Sequence, residues 1–253
     1  MFSFEWVAVC FGIILAAVSL ARRRVAALVS SLALVGGVFV ASRWTPLLVR
    51  ESLPIVYLLA GYWIPGLVVG RESPRRQPAL ERWLAGMDRR AAAPMPRVPE
   101  VVIEVLELAY LFCYPLVPAC LLLLLLRATD AAIERFWTSV LVSGYACYGT
   151  LPWLVMYPPR RTGTRAGTPG AIRRLNVLVL GRASHGWTTF PSGHVAVSYA
   201  AAVSLWHVWP QAGIVVALVA AGVAAGAVAG RYHYALDVAA GFVLAAGVTV
   251  ITW

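Results

Sequence analysis

Eight stretches of this chain are apolar and almost free of charge: 3–20, 25–42, 52–70, 104–126, 136–157, 192–209, 212–230 and 234–252. Each is close to the roughly 20 residues that an α-helix needs to cross a hydrocarbon core about 30 Å thick. No other feature constrains the fold as tightly. Inside lipid, every backbone amide must be bonded within its own helix or around a closed barrel. Barrel strands are shorter and alternate in polarity, and nothing here alternates in that way. The expected fold is therefore all-α: a polytopic membrane helical bundle of about eight transmembrane helices. The Leu121–Leu126 and Val215–Gly230 runs are the clearest, while Pro54 and Pro65 leave the ends of the third span open.

The charge that exists is placed accordingly. Only 13% of residues are charged against 60% hydrophobic, and mean hydropathy is +0.77. Charges gather at 21–24, 71–100, 127–135 and 158–182. A soluble domain of this length needs more polar surface. The net charge is +10, and all 21 basic residues are Arg. Arg gathered in loops beside apolar runs reads as headgroup contact and topology signal, and no nucleic-acid partner is expected. Arg without Lys, in an Ala- and Val-rich chain, is also what genomic base bias produces. Cys10, Cys113, Cys120 and Cys147 each lie in an apolar run without metal-ligand spacing, and read as small core residues. The run from Phe2 to Leu20 has no basic segment before it, so it reads as a retained span and not as a cleaved signal.

Two loops are long. Within 71–100, Leu80, Trp83, Leu84 and Met87 stand at helical spacing, which predicts a short interfacial helix. The loop 158–190 is rich in Gly, Arg and Thr and ends at Pro191, a residue suited to a helix start. Small residues from Gly222 to Gly230 and from Ala239 to Gly241 permit close packing between spans.

A few polar residues stand out against this background. His233 and Asp237 are four apart, which on a helix puts them on one face. Asp237 then lies inside the membrane end of a span, where an ionisable group is costly and marks function or a partner. A carboxylate beside an imidazole fixes its tautomer and stabilises the imidazolium, leaving the other ring nitrogen as a nucleophile towards phosphorus. The same pair also fits a simple interfacial cap. Ser192, Gly193 and His194 open another span, whose free N–H groups and dipole attract anions. A His just inside such a site can protonate a leaving oxygen. The same residues also fit an ordinary helix start. Arg160 and Arg161 follow the fifth span, and Arg231 sits two residues before His233; guanidinium groups bind phosphate bidentately. With eight spans, all three segments fall on one membrane face. Independent caps would do so only by chance.

Pro191-Ser192-Gly193-His194 followed by His233-x-x-x-Asp237 resembles the type 2 phosphatidic acid phosphatase superfamily. The resemblance covers roughly residues 50–252 and implies a six-helix core with a phosphate site at one end. The implied domains are 46–253 for that core and 1–45 for two additional helices. By resemblance, His233 is the nucleophile that forms a phosphohistidine, Asp237 orients it, and His194 protonates the leaving alcohol. Arg160, Arg161, Ser192, Gly193 and Arg231 are then the phosphate-binding set. No metal or cofactor is implied, and the substrate is a lipid phosphate or pyrophosphate. The chain departs from the family pattern in two places. The usual Lys of the first motif has no counterpart, and the usual Arg six residues before the last His is Ala227. Pro158-Pro159-Arg160 and Arg231-Tyr232-His233-Tyr234 look more like the branch containing inositol phosphorylceramide synthase, as do Glu107, Tyr110 and Tyr114.

Hydrolysis is the expected outcome, since it needs no second substrate pocket. Transfer of a phospho-headgroup between lipids is the alternative, and a non-catalytic lipid-binding or transport protein is the other reading. The motif face carries Arg22–Arg24, Arg71, Arg75, Arg76, Arg82, Arg89, Arg90 and Arg97. The opposite face has Arg43, Arg50, Arg127 and Arg135. The positive-inside rule places the motif face in the cytoplasm, in a multi-pass protein of the plasma (inner) membrane.

Overall fold

The computed structural model describes residues 1–70, 76–92, 99–162 and 170–253. Arg71, Arg75 and Arg97 lie outside them. The chain is an all-α polytopic helical bundle, with only two isolated β-bridges among the described residues. In chain order the helices are α1 Ser3–Ala21, α2 Val25–Trp44, α3 Leu47–Ser52, α4 Pro54–Val69, α5 Pro78–Ala92, α6 Glu100–Leu111, α7 Cys113–Leu125 and α8 Asp130–Tyr148. They continue with α9 Pro159–Thr162, α10 Ala171–Ala183, α11 Gly193–Val208, α12 Pro210–Ala229 and α13 Ala235–Thr252.

Each expected span has a helical counterpart. Among the described residues, five helical segments are long and apolar enough to cross a membrane, or six with the bent pair α6–α7. The remaining counterparts, α8 and α11, are shorter or more polar, and they are the ones packed most deeply. Phe136, Trp137, Val140 and Leu141 of α8 are fully buried, as are Ala196, Ala200, Ala201 and Leu205 of α11. Helices enclosed by other helices need not be uniformly apolar to the same degree as those facing lipid. Lipid-type exposure falls on the outer helices, for example at Val250 and Ile251 of α13.

Proline explains the interruptions. The Pro115 ring clashes with the carbonyl four residues back, at Leu111, where α6 ends and the chain bends by 51° into α7. Pro54 starts α4 as a new helix directly after α3. Small residues explain close approaches between helices: a Cβ on Gly226 of α12 would come within 2.2 Å of the Leu106 carbonyl of α6.

Two ends of the bundle are fastened differently. At one end Arg50 pairs with buried Glu5 through two contacts of 2.5 Å, and Trp137 Nε1 donates to the Glu51 carbonyl at 2.6 Å. At the other, Arg22 donates to the Pro152 carbonyl at 2.7 Å, and Arg24 to that of Val69 at 3.3 Å. The two N-terminal helices are thereby packed into the bundle; Phe11 of α1 stacks on Tyr145 of α8 at 4.1 Å.

Several expectations change. The fifth span ends at Tyr148, and residues beyond it turn under the site. Helix α10 falls inside the loop expected over 158–190. A helix is present where the interfacial one was expected, as α5, with Trp83 and Met87 exposed, but Leu84 is fully buried against Met156 and Tyr234. Cys120 and Cys147 are buried, whereas Cys10 is exposed on α1.

Candidate active site

The site lies at the bundle end formed by the close of α4, α6 and α12 and the start of α11 and α13. The chain leaves α12 through Arg231, which adopts a positive φ of 61°. That left-handed residue folds the chain back, so the N–H groups of Tyr232 and His233 both donate to the Ala227 carbonyl, at 2.9 and 3.1 Å. Ala227 itself is fully buried. His233 therefore precedes α13 instead of standing on it, which corrects the expected shared helical face. Asp237, in the first turn of α13, accepts the Tyr234 N–H through Oδ2 at 3.1 Å.

The rings still converge. His233 Nδ1 is 3.5 Å from Asp237 Oδ2 and closer, 3.0 Å, to Thr188 Oγ1. His194 Nδ1 lies 3.4 Å from His233 Nε2. His233 is 4% exposed and Asp237 fully buried, so the pair is shielded from bulk water. Ser192 N–H donates to the Asp237 carbonyl at 2.9 Å, which ties the start of α11 to α13. Ser192 Oγ and Asp237 Oδ1 are buried without a hydrogen-bond partner among the described residues. Gly193 is required sterically: a Cβ there would lie 2.2 Å from Tyr148 Cε1. Its N–H makes a long contact, 3.4 Å, to Thr189 Oγ1.

A small cavity of about 30 Å³ opens between these groups, with Arg160, Thr188, Thr189, His194, Tyr232 and His233 on its wall. Arg160 is the notable member. Its guanidinium lies over the Tyr232 ring at 5.3 Å, and no described carboxylate pairs with it. Burial lowers its pKa from the ordinary value. A partly buried cation gains when an anion pairs with it. Arg161 and Arg231 are not on that wall. Arg161 stacks over Tyr157 at 5.2 Å, and Arg231 donates to the Pro159 carbonyl at 3.1 Å, holding the Arg160 loop.

Other residues also stand at the site, and among them Thr188, Thr189 and His185 carried no motif signal. Thr188 and Thr189 are buried beside the histidines, and only their nearness to Pro191 pointed to them. His185 stacks on Tyr62 at 4.5 Å, and burial pushes its pKa down to about 4, so it is neutral at pH 7. Glu107 is fully buried and receives Arg173, Asn176 and the Tyr232 hydroxyl. Tyr232 in turn stacks on Tyr110 at 4.2 Å. Among the described residues, no three His, Cys, Asp or Glu side chains come together as a metal-binding group.

Residues 152–253 match the family model of the PAP2 superfamily. The match covers less than half of the 253-residue chain, but it contains Arg160, both histidines and Asp237. It supports the superfamily, and with it phosphatase-type chemistry on lipid phosphates. No curated protein and no solved structure gave a match.

Proposed function

We propose that this membrane protein hydrolyses a lipid phosphate or pyrophosphate through a phosphohistidine on His233. One observation carries the reading. A partly buried guanidinium without a described carboxylate partner, Arg160, shares a small cavity with two imidazoles whose nitrogens are 3.4 Å apart. In the productive tautomer, His233 Nδ1–H donates towards Thr188 and Asp237, which leaves the Nε2 lone pair for phosphorus. Arg160, the Gly193 amide and Ser192 neutralise the phosphoryl oxygens, while Arg161 and Arg231 add positive charge and hold the loop. His194 protonates the departing alkoxide.

The imidazole contact occupies the place that phosphorus must take. In-line attack needs about 3 Å from nitrogen to phosphorus, about 1.6 Å along the breaking P–O bond and a further ~3 Å from the leaving oxygen to its acid, so the rings part to roughly 7 Å when substrate enters. In this reading residues 46–253 form the catalytic core and residues 1–45 are an addition. The site faces the cytoplasm from the plasma (inner) membrane, following the Arg asymmetry. A reporter fused after Trp253 should then read as non-cytoplasmic, because α13 carries the C-terminus to the other face; a cytoplasmic signal would reverse the assignment.

A second reading has its own support. Glu107, Tyr110, Tyr232 and Arg160, which carry the likeness to the inositol phosphorylceramide synthase branch, meet in one cluster beside His194. There a lipid or polyol hydroxyl would take the phosphoryl or phospho-headgroup group in place of water. The deciding experiment incubates purified protein with a panel of long-chain lipid phosphates, with and without myo-inositol or diacylglycerol. Inorganic phosphate that is unaffected by acceptor is expected. An acceptor-dependent product would establish transfer, and neither product from any substrate would defeat both readings.

A further inference from the structure

Helix α5 lies outside the residues that match the superfamily model, yet it touches both loops that bring the site together. The Glu81 carboxylate is 3% exposed, and its Oε1 accepts the Tyr157 N–H at 2.9 Å. Arg76 closes on the same carboxylate at 2.5 Å and lies over the Tyr157 ring at 4.3 Å. Seven residues on, and so on the same helical face, Asp88 Oδ1 accepts the Ala235 N–H at 3.0 Å. Leu84 fills the space between the two carboxylates and is fully buried against Met156 and Tyr234.

The two N–H groups sit at consequential places. Tyr157 leads directly into Pro158–Arg161. Ala235 directly follows His233 and Tyr234 and opens α13, whose N-terminal N–H groups have no partner inside the helix. Asp237 satisfies one donor at this helix start and Asp88 satisfies the next. A third strand of backbone joins the same arrangement. Gln77 N–H donates to the Val155 carbonyl at 2.9 Å, and Thr188 N–H donates to that of Met156 at 3.0 Å. Thr188 is the residue whose hydroxyl touches His233. Burial raises the Asp88 pKa above the usual carboxylate value, with the Ala235 N–H opposing that shift. Glu81 is buried and Asp88 half-buried, and carboxylates so placed are costly unless bonded, which favours the register of α5 that meets both N–H groups.

We infer that α5 is a template that holds the Arg160 loop and the His233 loop at their reactive spacing, with Glu81 and Asp88 as positioning residues. The inference rests on the phosphoryl-transfer reading above. Neither carboxylate touches the cavity; each acts through a backbone N–H on a loop that does.

The test compares Asp88→Ala with Asp88→Asn in purified, detergent-solubilised full-length protein. Asn keeps an oxygen at the acceptor position, and Ala removes it. For Asp88→Ala, kcat should fall roughly ten- to hundredfold with KM within about twofold, the scale expected when a reacting group is displaced by up to about 1 Å. Asp88→Asn should recover kcat to within about threefold of wild type. A merely structural role would lower the melting temperature and leave kcat per folded molecule unchanged, and that result would overturn the inference. Should Asp88→Ala fail to fold, Glu81→Ala against Glu81→Gln reads the Tyr157 contact by the same measures. If wild type turns over no lipid phosphate, the reaction reading fails by itself, and orthovanadate binding by calorimetry still reads the template. Weaker orthovanadate binding in Asp88→Ala than in wild type supports the template, and equal binding overturns it.

Discussion

His233→Ala should abolish phosphate release from a long-chain lipid phosphate, with a loss on the order of 10⁴-fold or more, because in the proposed mechanism it removes the atom that bonds to phosphorus. Ala also empties a ring-sized space beside Thr188 and His194, so the companion variant is His233→Gln. Gln fills most of the volume and can bond the Thr188 hydroxyl, yet it has no nucleophilic nitrogen. Both variants should lose turnover to the same extent, and Gln should keep the wild-type melting temperature. Arg160, Ser192 and the Gly193 amide are intact in both, so orthovanadate should still bind. A rapid quench of wild type with phosphorus-labelled lipid phosphate should trap label that is stable to base and labile to acid, as expected of a phosphoramidate. That label should be absent from both variants. Unchanged turnover in His233→Gln would remove His233 from the chemistry.

The membrane architecture was legible because it follows from a single-residue property summed over long windows. α1, α2 and α12 lie within a few residues of the stretches read from hydropathy. The fifth span was drawn too long for a physical reason. Leu151, Val155 and Met156 are apolar, so the run reads on to Tyr157, but they are buried under α5 and Trp187 and not in lipid. Helix α10 was hidden by its Gly- and Arg-rich flanks. Its order depends on Arg173 and Asn176 reaching Glu107, a partner 66 to 69 residues away in sequence. The bend at Phe112 was foreshadowed by Pro115, though sequence alone does not say whether such a proline kinks a helix or ends it.

The site divides along the same line. Motif residues are legible because their types and short spacing carry chemistry. His194, His233 and Asp237 come together although 39 residues separate the two rings. Their immediate partners are not legible. Thr188 is an ordinary loop threonine until the bridge to Met156 sets it against His233. Asp88 is one carboxylate on a basic interfacial helix until α13 begins beside it. These partners bond backbone groups, which have no sequence signature. The i, i+4 spacing of His233 and Asp237 misled in detail, since Arg231 and the turn after α12 put His233 outside the helix.

The second large effect separates the two imidazoles by the bond each one breaks or makes. His194→Gln should slow turnover of an alkyl lipid phosphate by roughly 10² to 10⁴-fold, the range for loss of a general acid. An alkoxide is a poor leaving group and requires that proton. A nitrophenolate does not, so with an aryl phosphate the first step should be nearly unaffected. In the proposed mechanism the same imidazole activates the water that attacks the phosphoenzyme, so the second step should remain slow for either substrate. His194→Gln should therefore release about one equivalent of phenol per protein in a burst, followed by slow steady turnover. Wild type should show no such burst if the phosphoenzyme breaks down quickly. His194 also packs against Tyr110 and Tyr114, at ring distances of 5.5 and 6.3 Å, so a general loosening of the site is the competing explanation. Loosening would slow phosphoenzyme formation from aryl and alkyl phosphates alike. Equal losses for both substrates, with no burst, would assign His194 to packing and leave the leaving-group proton without a donor.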